Sequence, residues 1–180
     1  MPPQVVDRIL RNATRAPSAG YSQGWAFMVF QGAERTEEFW SVTFPTGREG
    51  FRWPGLFDAP LIVVPMSSMT AYIDRYAEPD KGWTDRDAGR WPVPYWHIDT
   101  GFAALLMLLT AVDEGLGALF FGIFRPDAFR EAFGVPDTHS PIGAIAIGYP
   151  APDEPSRSLE RGRRALSDVI HEGRWQGKGD

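Results

Sequence analysis

One apolar segment constrains the fold of this chain more than any other feature. Residues 100–112 read TGFAALLMLLTAV, without a charge, and lie between Asp99 and Asp113. A helix that crosses a membrane needs about 20 apolar residues, so the segment is too short and predicts a buried helix instead. We expect that helix to cover residues 98–114 and to end at Gly115, because glycine readily adopts the left-handed conformation of a helix C-terminus.

Composition narrows the class of protein. The 180 residues are 43% hydrophobic and 13% aromatic, which suits one domain with a substantial core. A net charge of −5 is opposite to the basic surface of a nucleic-acid-binding protein. The absence of cysteine excludes disulfides, thiolate metal sites and a cysteine nucleophile, and suits a reducing compartment. No apolar signal segment follows Met1. We therefore expect a soluble, cytoplasmic protein that binds neither nucleic acid nor membranes.

Hydrophobic periodicity predicts helices alternating with about four strands, which is an α+β domain around one central sheet. The predicted helices cover residues 3–15, 34–43, 98–114 and 127–133, and the predicted strands cover residues 25–31, 60–66, 118–121 and 142–147. Residues 71–96 are rich in aromatic side chains without a clear period, so we expect irregular structure there. No repeat or second domain is visible, and residues 1–180 are treated as one domain with a polar tail from residue 151.

Motifs for side-chain catalysis are missing. The sequence has no phosphate-binding glycine loop, no H-E-x-x-H motif and no G-x-S-x-G motif. His97 and Asp99 could supply two metal ligands, but we interpret the pair as the polar entry of a helix. We predict no catalytic side chain and no metal. If the protein is an enzyme, a bound cofactor supplies the chemistry.

Three segments are candidates for binding a cofactor. Residues 15–25, RAPSAGYSQGW, form a small polar loop whose backbone amides suit a phosphate or a polyol. Residues 114–124, EGLGALFFGIF, leave backbone exposed after a short strand. Arg161 and Arg163 are two residues apart, so in an extended chain both would face one phosphate. Each segment also has a plain interpretation: a helix–strand connection, a helix cap with a turn, and a solvated charge run.

The order of these motifs resembles the FMN-dependent nitroreductase family. The most characteristic pieces are R-x-P-S-x-x-x-S-Q-x-W and A-x-x-x-GLG, followed by IGYP and a basic stretch ahead of LSDVIH. The resemblance covers nearly the whole chain from Pro3 to Trp175. It implies a mostly antiparallel central sheet flanked by helices, an intertwined homodimer, and a C-terminal extension, residues 151–180, that reaches the partner subunit.

The resemblance also implies which residues bind FMN and substrate. The implied FMN-binding residues are Arg15, Pro17, Ser18, Ala19, Gly20, Tyr21 and Gln23 in the loop, Phe121 and Gly122 at flavin N5, and Arg161, Arg163 and Arg164 at the phosphate. Tyr21 stands where the family usually has Asn. Trp91, Tyr95 and Trp96 either line a substrate pocket or pack the core or the dimer interface.

The implied function is an oxidoreductase that passes hydride from NAD(P)H through FMN to a small molecule such as a nitroaromatic or a quinone. Two alternatives stay open: a flavin-binding or flavin-sequestering protein with little turnover, and a flavin oxidase or dehydrogenase of the same fold. Family members usually carry an R-R-S-x-R-x-F segment ahead of the A-P-S loop, which the printed sequence lacks. We expect it to be encoded in frame upstream of Met1. Otherwise each lost phosphate contact weakens FMN binding by about 1.5–3 kcal/mol.

Overall fold

The computed structural model describes residues 1–152 and 155–177, and these residues form an antiparallel sheet of five strands. The strands are β1 (Trp25–Gln31), β2 (Leu61–Ser67), β3 (Gly117–Phe121), β4 (Ser140–Pro141) and β5 (Ala144–Gly148). Their order is β1–β2–β5–β3, and the two residues of β4 pair with the end of β2. Every residue of the central strand β2 is buried, which agrees with its apolar run from Leu61 to Met66.

Helices cover both faces of the sheet. They are α1 (Pro3–Ala13), α2 (Ala33–Thr43), α3 (Met69–Ala77), α4 (Tyr95–Asp113) and α5 (Pro126–Ala132). Side chains alternate along β2, so Leu61 and Val63 pack with α1 and α4 on one face, while Ile62 and Val64 pack with α2 and α5 on the other. The predicted α+β class with an antiparallel sheet flanked by helices is confirmed.

The long helix α4 has two different sides. Its length and apolar composition would suit a membrane span, but one side packs on α1 and the sheet and buries Ala103, Met107 and Ala111. The predicted stop at Gly115 is confirmed by its φ of 71°. The predicted burial is confirmed for one side only, because in the single chain a stripe of apolar side chains on the other side is exposed: Ile98, Phe102, Leu105, Leu109 and Val112.

One further prediction from the sequence is wrong. Residues 71–96 are not irregular throughout, since α3 occupies Met69–Ala77 and is capped by Ser68, whose hydroxyl accepts a hydrogen bond from the Ala71 N–H at 3.3 Å. The four predicted strands are present in the described sheet, and a fifth, β4, is too short and too rich in proline to produce a strand pattern. In addition, α4 begins three residues earlier than predicted, at Tyr95.

Candidate functional site

The loop between α1 and β1 has an unusual and closely held backbone. Gly20, Tyr21 and Gln23 have φ angles of 61°, 58° and 48°. These angles lie in the left-handed region, which residues other than glycine rarely adopt. Ser18 Oγ accepts a hydrogen bond from the Gln23 N–H at 3.0 Å, and Ser22 Oγ donates to the Ala19 carbonyl at 2.7 Å. Strained residues of this kind cluster at ligand sites, where the surrounding structure maintains them.

Two side chains outside the loop fix it from behind. The Asp99 carboxylate in α4 accepts a hydrogen bond from the Ala19 N–H at 2.8 Å, and Arg75 Nε in α3 donates to the Gly20 carbonyl at 2.9 Å. Gly20 also lies so close to α3 that a Cβ would be 2.5 Å from the ring of Tyr76. The loop is therefore held against both helices.

His97 and Asp99 were interpreted as the polar entry of a helix, but both lie inside α4 and make specific hydrogen bonds. Asp99 is 3% exposed and also accepts a hydrogen bond from the hydroxyl of Tyr72 at 2.7 Å. Burial, and then the bond to Asp99, raises the pKa of Tyr72, so that the hydroxyl remains a donor. His97 Nδ1 lies 2.8 Å from Ser67 Oγ, and desolvation lowers the pKa of the imidazole. Sequence reasoning did not predict that Asp99 contacts the loop, although a carboxylate heading an apolar helix was the available signal.

The opposite side of the loop is open. Arg15, Pro17, Tyr21 and Gln23 are exposed, and Tyr21 reaches 75% exposure. Ser18, Ala19 and Gly20 are half-buried between this open side and the helices. A ligand can therefore approach the loop residues named from the sequence without displacing any core side chain.

A second open feature lies at the end of β3. Phe121 is half-buried and pairs with Ala144 of β5, and Gly122 directly after it is exposed. Within the described part of the chain, the Gly122 N–H makes no hydrogen bond. A Cβ added at Gly122 would meet nothing within 4 Å. The end of β3 therefore carries an unpaired backbone donor at an exposed residue.

The loop and Gly122 lie at the same end of the sheet but at opposite edges. β1 starts at Trp25, which pairs with Ser67 at the end of β2. The last residue of β3, Phe121, lies at this same end of the sheet. Three strand spacings, about 14 Å, separate the outer strands β1 and β3. One chain thus places the two groups on two different edges and does not bring them together.

The aromatic candidates form a cluster behind the loop. Trp91 lies at its centre, with the centroids of five rings between 4.5 and 6.4 Å away: Tyr72, Tyr76, Trp83, Tyr95 and Trp96. Tyr76 connects this cluster to the loop at Gly20. The packing role is favoured for Trp91 because it is enclosed by other rings, whereas Tyr95 contacts the cluster at one side.

The arginine run, Arg161, Arg163 and Arg164, lies in the tail that follows the last strand of the sheet. Arg161 ends a 3-10 turn, Arg157–Arg161, and Gly162 follows with a φ of 71°. The chain is not extended at this point, so the argument that Arg161 and Arg163 face the same way because they are two residues apart does not apply. Both are exposed, and their side chains form no hydrogen bond or ion pair with another described residue, while Arg164 donates to the Asp168 carbonyl at 2.5 Å.

The chain is similar to known proteins over most of its length. Residues 1–149 match the Nitroreductase family model. A protein of Archaeoglobus fulgidus named "Putative NADH dehydrogenase/NAD(P)H nitroreductase" is 25% identical over 174 residues, which is 94% of this chain and 85% of the relative.

Solved structures agree on the fold. A nitroreductase family protein from Clostridium difficile is 24% identical, with a TM-score of 0.69 over 97% of this chain and 88% of the other. A "putative nitroreductase in complex with FMN" from Exiguobacterium sibiricum is 21% identical, with a TM-score of 0.69 over 98% and 88%. Because the family model spans most of the sequence and the sheet and helices agree with it, the chain belongs to the nitroreductase family.

Proposed function

We propose that this protein is an FMN-dependent oxidoreductase that uses NAD(P)H to reduce a small acceptor such as a nitroaromatic or a quinone. Membership of the nitroreductase family supports a redox enzyme, the name of a relative includes NAD(P)H, and a structural neighbour is described with FMN. The absence of cysteine favours the reducing cytoplasm as its location. The observation that carries the proposal is the unpaired N–H of Gly122, at the same end of the sheet as the open loop.

The residues present fit FMN in three respects. A backbone donor near flavin N5 favours the reduced ring, and the Gly122 N–H is unpaired within the described chain, at an exposed residue whose Cβ position is open. The ring also needs a surface that the backbone lets it approach closely, which the loop from Pro17 to Gly20 supplies. The phosphate needs cations, for which Arg161 and Arg163 are exposed and unpaired among the described residues.

The chemistry that FMN supplies when bound is hydride transfer from NAD(P)H to the acceptor. The chain's own groups bind and orient it. In this proposal Gly122 donates a hydrogen bond from its backbone, Pro17, Ser18 and Ala19 lie along the ring, and the arginines neutralise the phosphate. No side chain acts as an acid or base in the hydride step. Tyr95 and Trp96, half-buried at the side of the aromatic cluster, line the acceptor pocket.

A homodimer would bring the two halves of this site together. The exposed apolar side chains of α4, from Ile98 to Val112, follow one another at spacings of four, three, four and three residues, a pattern typical of a helix–helix seam. We propose that this stripe packs on a second copy of the chain. The loop of one copy and the Gly122 edge of the other would then face a shared FMN.

The tail fits the same arrangement. Leu159, Leu166, Ile170 and Trp175 are exposed, which is unfavourable for apolar groups. Trp175 is 85% exposed although its ring stacks on the His171 ring within the same tail. We propose that the extension 151–180 covers the partner subunit and carries its arginines to the partner's site. Residues 153–154 and 178–180 of this extension lie outside the described residues.

A matched pair of substitutions at Gly122 tests the proposal. Gly122→Ala keeps the N–H and adds a methyl group in open space, so FMN affinity is expected within about threefold of wild type. Gly122→Pro removes the N–H and is expected to weaken binding about tenfold or more, as loss of one good hydrogen bond does. Titration of the apoprotein with FMN, followed by flavin fluorescence, measures both.

Three outcomes separate the proposal from its alternatives. No uptake of FMN by the wild type would overturn it. FMN that binds but is reduced by neither NADH nor NADPH would favour a flavin-sequestering protein. Reduction by an organic substrate, and not by nicotinamides, would favour an oxidase or dehydrogenase.

A further inference from the structure

Asp99 makes two hydrogen bonds through a single oxygen atom. Its Oδ2 accepts both from the Ala19 N–H at 2.8 Å and from the Tyr72 hydroxyl at 2.7 Å. The side chain is 3% exposed, and no ion pair joins it to a cation in the described ranges. A buried carboxylate that is compensated only by neutral donors is costly to maintain, so its geometry calls for a function.

The two hydrogen bonds of Asp99 reach two different parts of the chain, helix α3 and the loop between α1 and β1. Tyr72 belongs to α3, is fully buried and is one ring of the aromatic cluster. Ala19 belongs to the loop and is the middle of the segment whose other side is open. Asp99 therefore connects the core to the one part of the loop proposed to lie along the flavin.

A second peptide group of the loop is fixed in the same way. Arg75 Nε donates to the Gly20 carbonyl, and the Arg75 guanidinium is itself held by Asp80 through two hydrogen bonds of 2.7 Å. The Ala19 N–H and the Gly20 carbonyl, on the two sides of the Ala19–Gly20 peptide group, are thus both bonded to side chains of the helices behind the loop. This fixes the orientation of the peptide planes on the open side, where Gly20 and Tyr21 are left-handed.

We propose that Asp99 is a positioning residue for FMN: it holds the Ala19 N–H from behind, and thereby keeps the loop from Pro17 to Gly20 in the conformation that binds the flavin. The inference rests on the proposed function. It assigns Asp99 a role through the position of its oxygen and not through its charge. Asp99 touches neither the cofactor nor the substrate.

Because both bonds end on one oxygen, position and charge can be separated experimentally. Asp99→Asn keeps an oxygen at the same distance from the backbone and removes the charge. Asp99→Glu keeps the charge and moves the carboxylate outward by one methylene. Positioning predicts FMN affinity within about threefold of wild type for Asp99→Asn and at least tenfold weaker for Asp99→Glu. A role for the charge predicts the reverse order.

Thr100→Val is the matched control for general destabilisation. Thr100 is the next residue of α4, is fully buried, and its hydroxyl donates to the Trp96 carbonyl within the same helix. This variant is expected to lower thermal stability without changing FMN affinity. If affinity instead falls in proportion to stability across Thr100→Val and Asp99→Glu, the role of Asp99 is only structural and the proposal is wrong.

Hydrogen exchange of the Ala19 amide gives a readout that needs no flavin. Its protection in the apoprotein is expected to persist in Asp99→Asn and to fall at least tenfold in Asp99→Glu. A wild-type protein that fails to bind FMN overturns the proposed function, while the exchange experiment still tests whether Asp99 holds the loop. A folded Asp99→Asn variant that loses FMN, or an Asp99→Glu variant that binds it as wild type does, overturns this inference alone.

Discussion

The rings of Trp40 and Phe121 are stacked, with centroids 5.4 Å apart and planes inclined by 17°. Trp40 is 1% exposed in the core between α2 and the sheet, and Phe121 is the last residue of β3. The stack therefore connects the rigid centre of one core cluster to the residue directly before Gly122. Trp40 supports the proposed flavin edge of the sheet in the way that Asp99 supports the loop.

Trp40 is expected to stabilise the protein by packing and not by hydrogen bonding. Its indole Nε1 has no acceptor among the described residues. Trp40→Phe removes that unpaired donor and keeps an aromatic ring, so the loss is expected below about 1.5 kcal/mol. Trp40→Ala leaves a cavity and should cost about 3–5 kcal/mol. Urea unfolding of both variants measures the difference, and equal losses would show that the ring stack contributes nothing.

The arginine run is expected to matter for FMN more than other charges in the tail. Reversing Arg161 and Arg163 together should release FMN, because two charge-assisted phosphate contacts of about 1.5–3 kcal/mol each become repulsive. Arg174→Glu lies in the same tail and is the control, with a much smaller effect expected. Equilibrium dialysis against FMN compares them. Equal losses from both changes would identify the run as a solvated charge cluster.

The apolar stripe of α4 is expected to form the dimer interface. Leu105→Glu and Leu109→Glu place charges in the middle of the stripe, where Leu109 is 56% exposed in the single chain. Burying an unpaired charge at an interface is costly, so both variants should become monomers at micromolar concentration. Met69→Glu changes an exposed apolar residue on α3 and should remain dimeric. Light scattering decides, and a monomeric wild type would contradict the two-chain site.

Tyr21 is expected to carry backbone strain that Asn would relieve. Its φ is 58°, and a left-handed residue other than glycine or asparagine costs roughly 1–2 kcal/mol. Tyr21→Asn should therefore stabilise the fold by about 1 kcal/mol. Tyr149→Asn, at an exposed tyrosine outside the left-handed region, is the control and should be close to neutral. Thermal melts of both variants test this, and no gain at position 21 would mean that contacts of the ring offset the strain.

The sequence predicted the elements whose pattern is local. The strand Trp25–Gln31 was placed with its observed bounds, and Gly115 marked the end of α4, because a run of apolar residues and a left-handed glycine are readable without tertiary contacts. The helix α3 is missed because residues 71–96 are treated as one aromatic-rich segment, although Tyr72 and Tyr76 lie one helical turn apart.

The proposed site residues differ in the same way. The loop and Gly122 are proposed from the order of motifs, which can be read along the chain. Asp99 and Arg75 were not found, since their roles depend on contacts with residues 80 and 55 positions away along the chain. The assumption that Arg161 and Arg163 lie in extended backbone failed because Gly162 turns the chain.

Anaerobic reduction of the reconstituted protein tests the central claim most directly. The purified chain is saturated with FMN, freed of unbound flavin, and titrated with NADPH or NADH in the absence of oxygen while the visible flavin band is recorded. We expect the band to disappear with about one nicotinamide per bound FMN, since one hydride reduces one flavin, and to return when a quinone or nitroaromatic is added. A chain that retains no FMN, or a flavin band that neither nucleotide changes, would contradict the account.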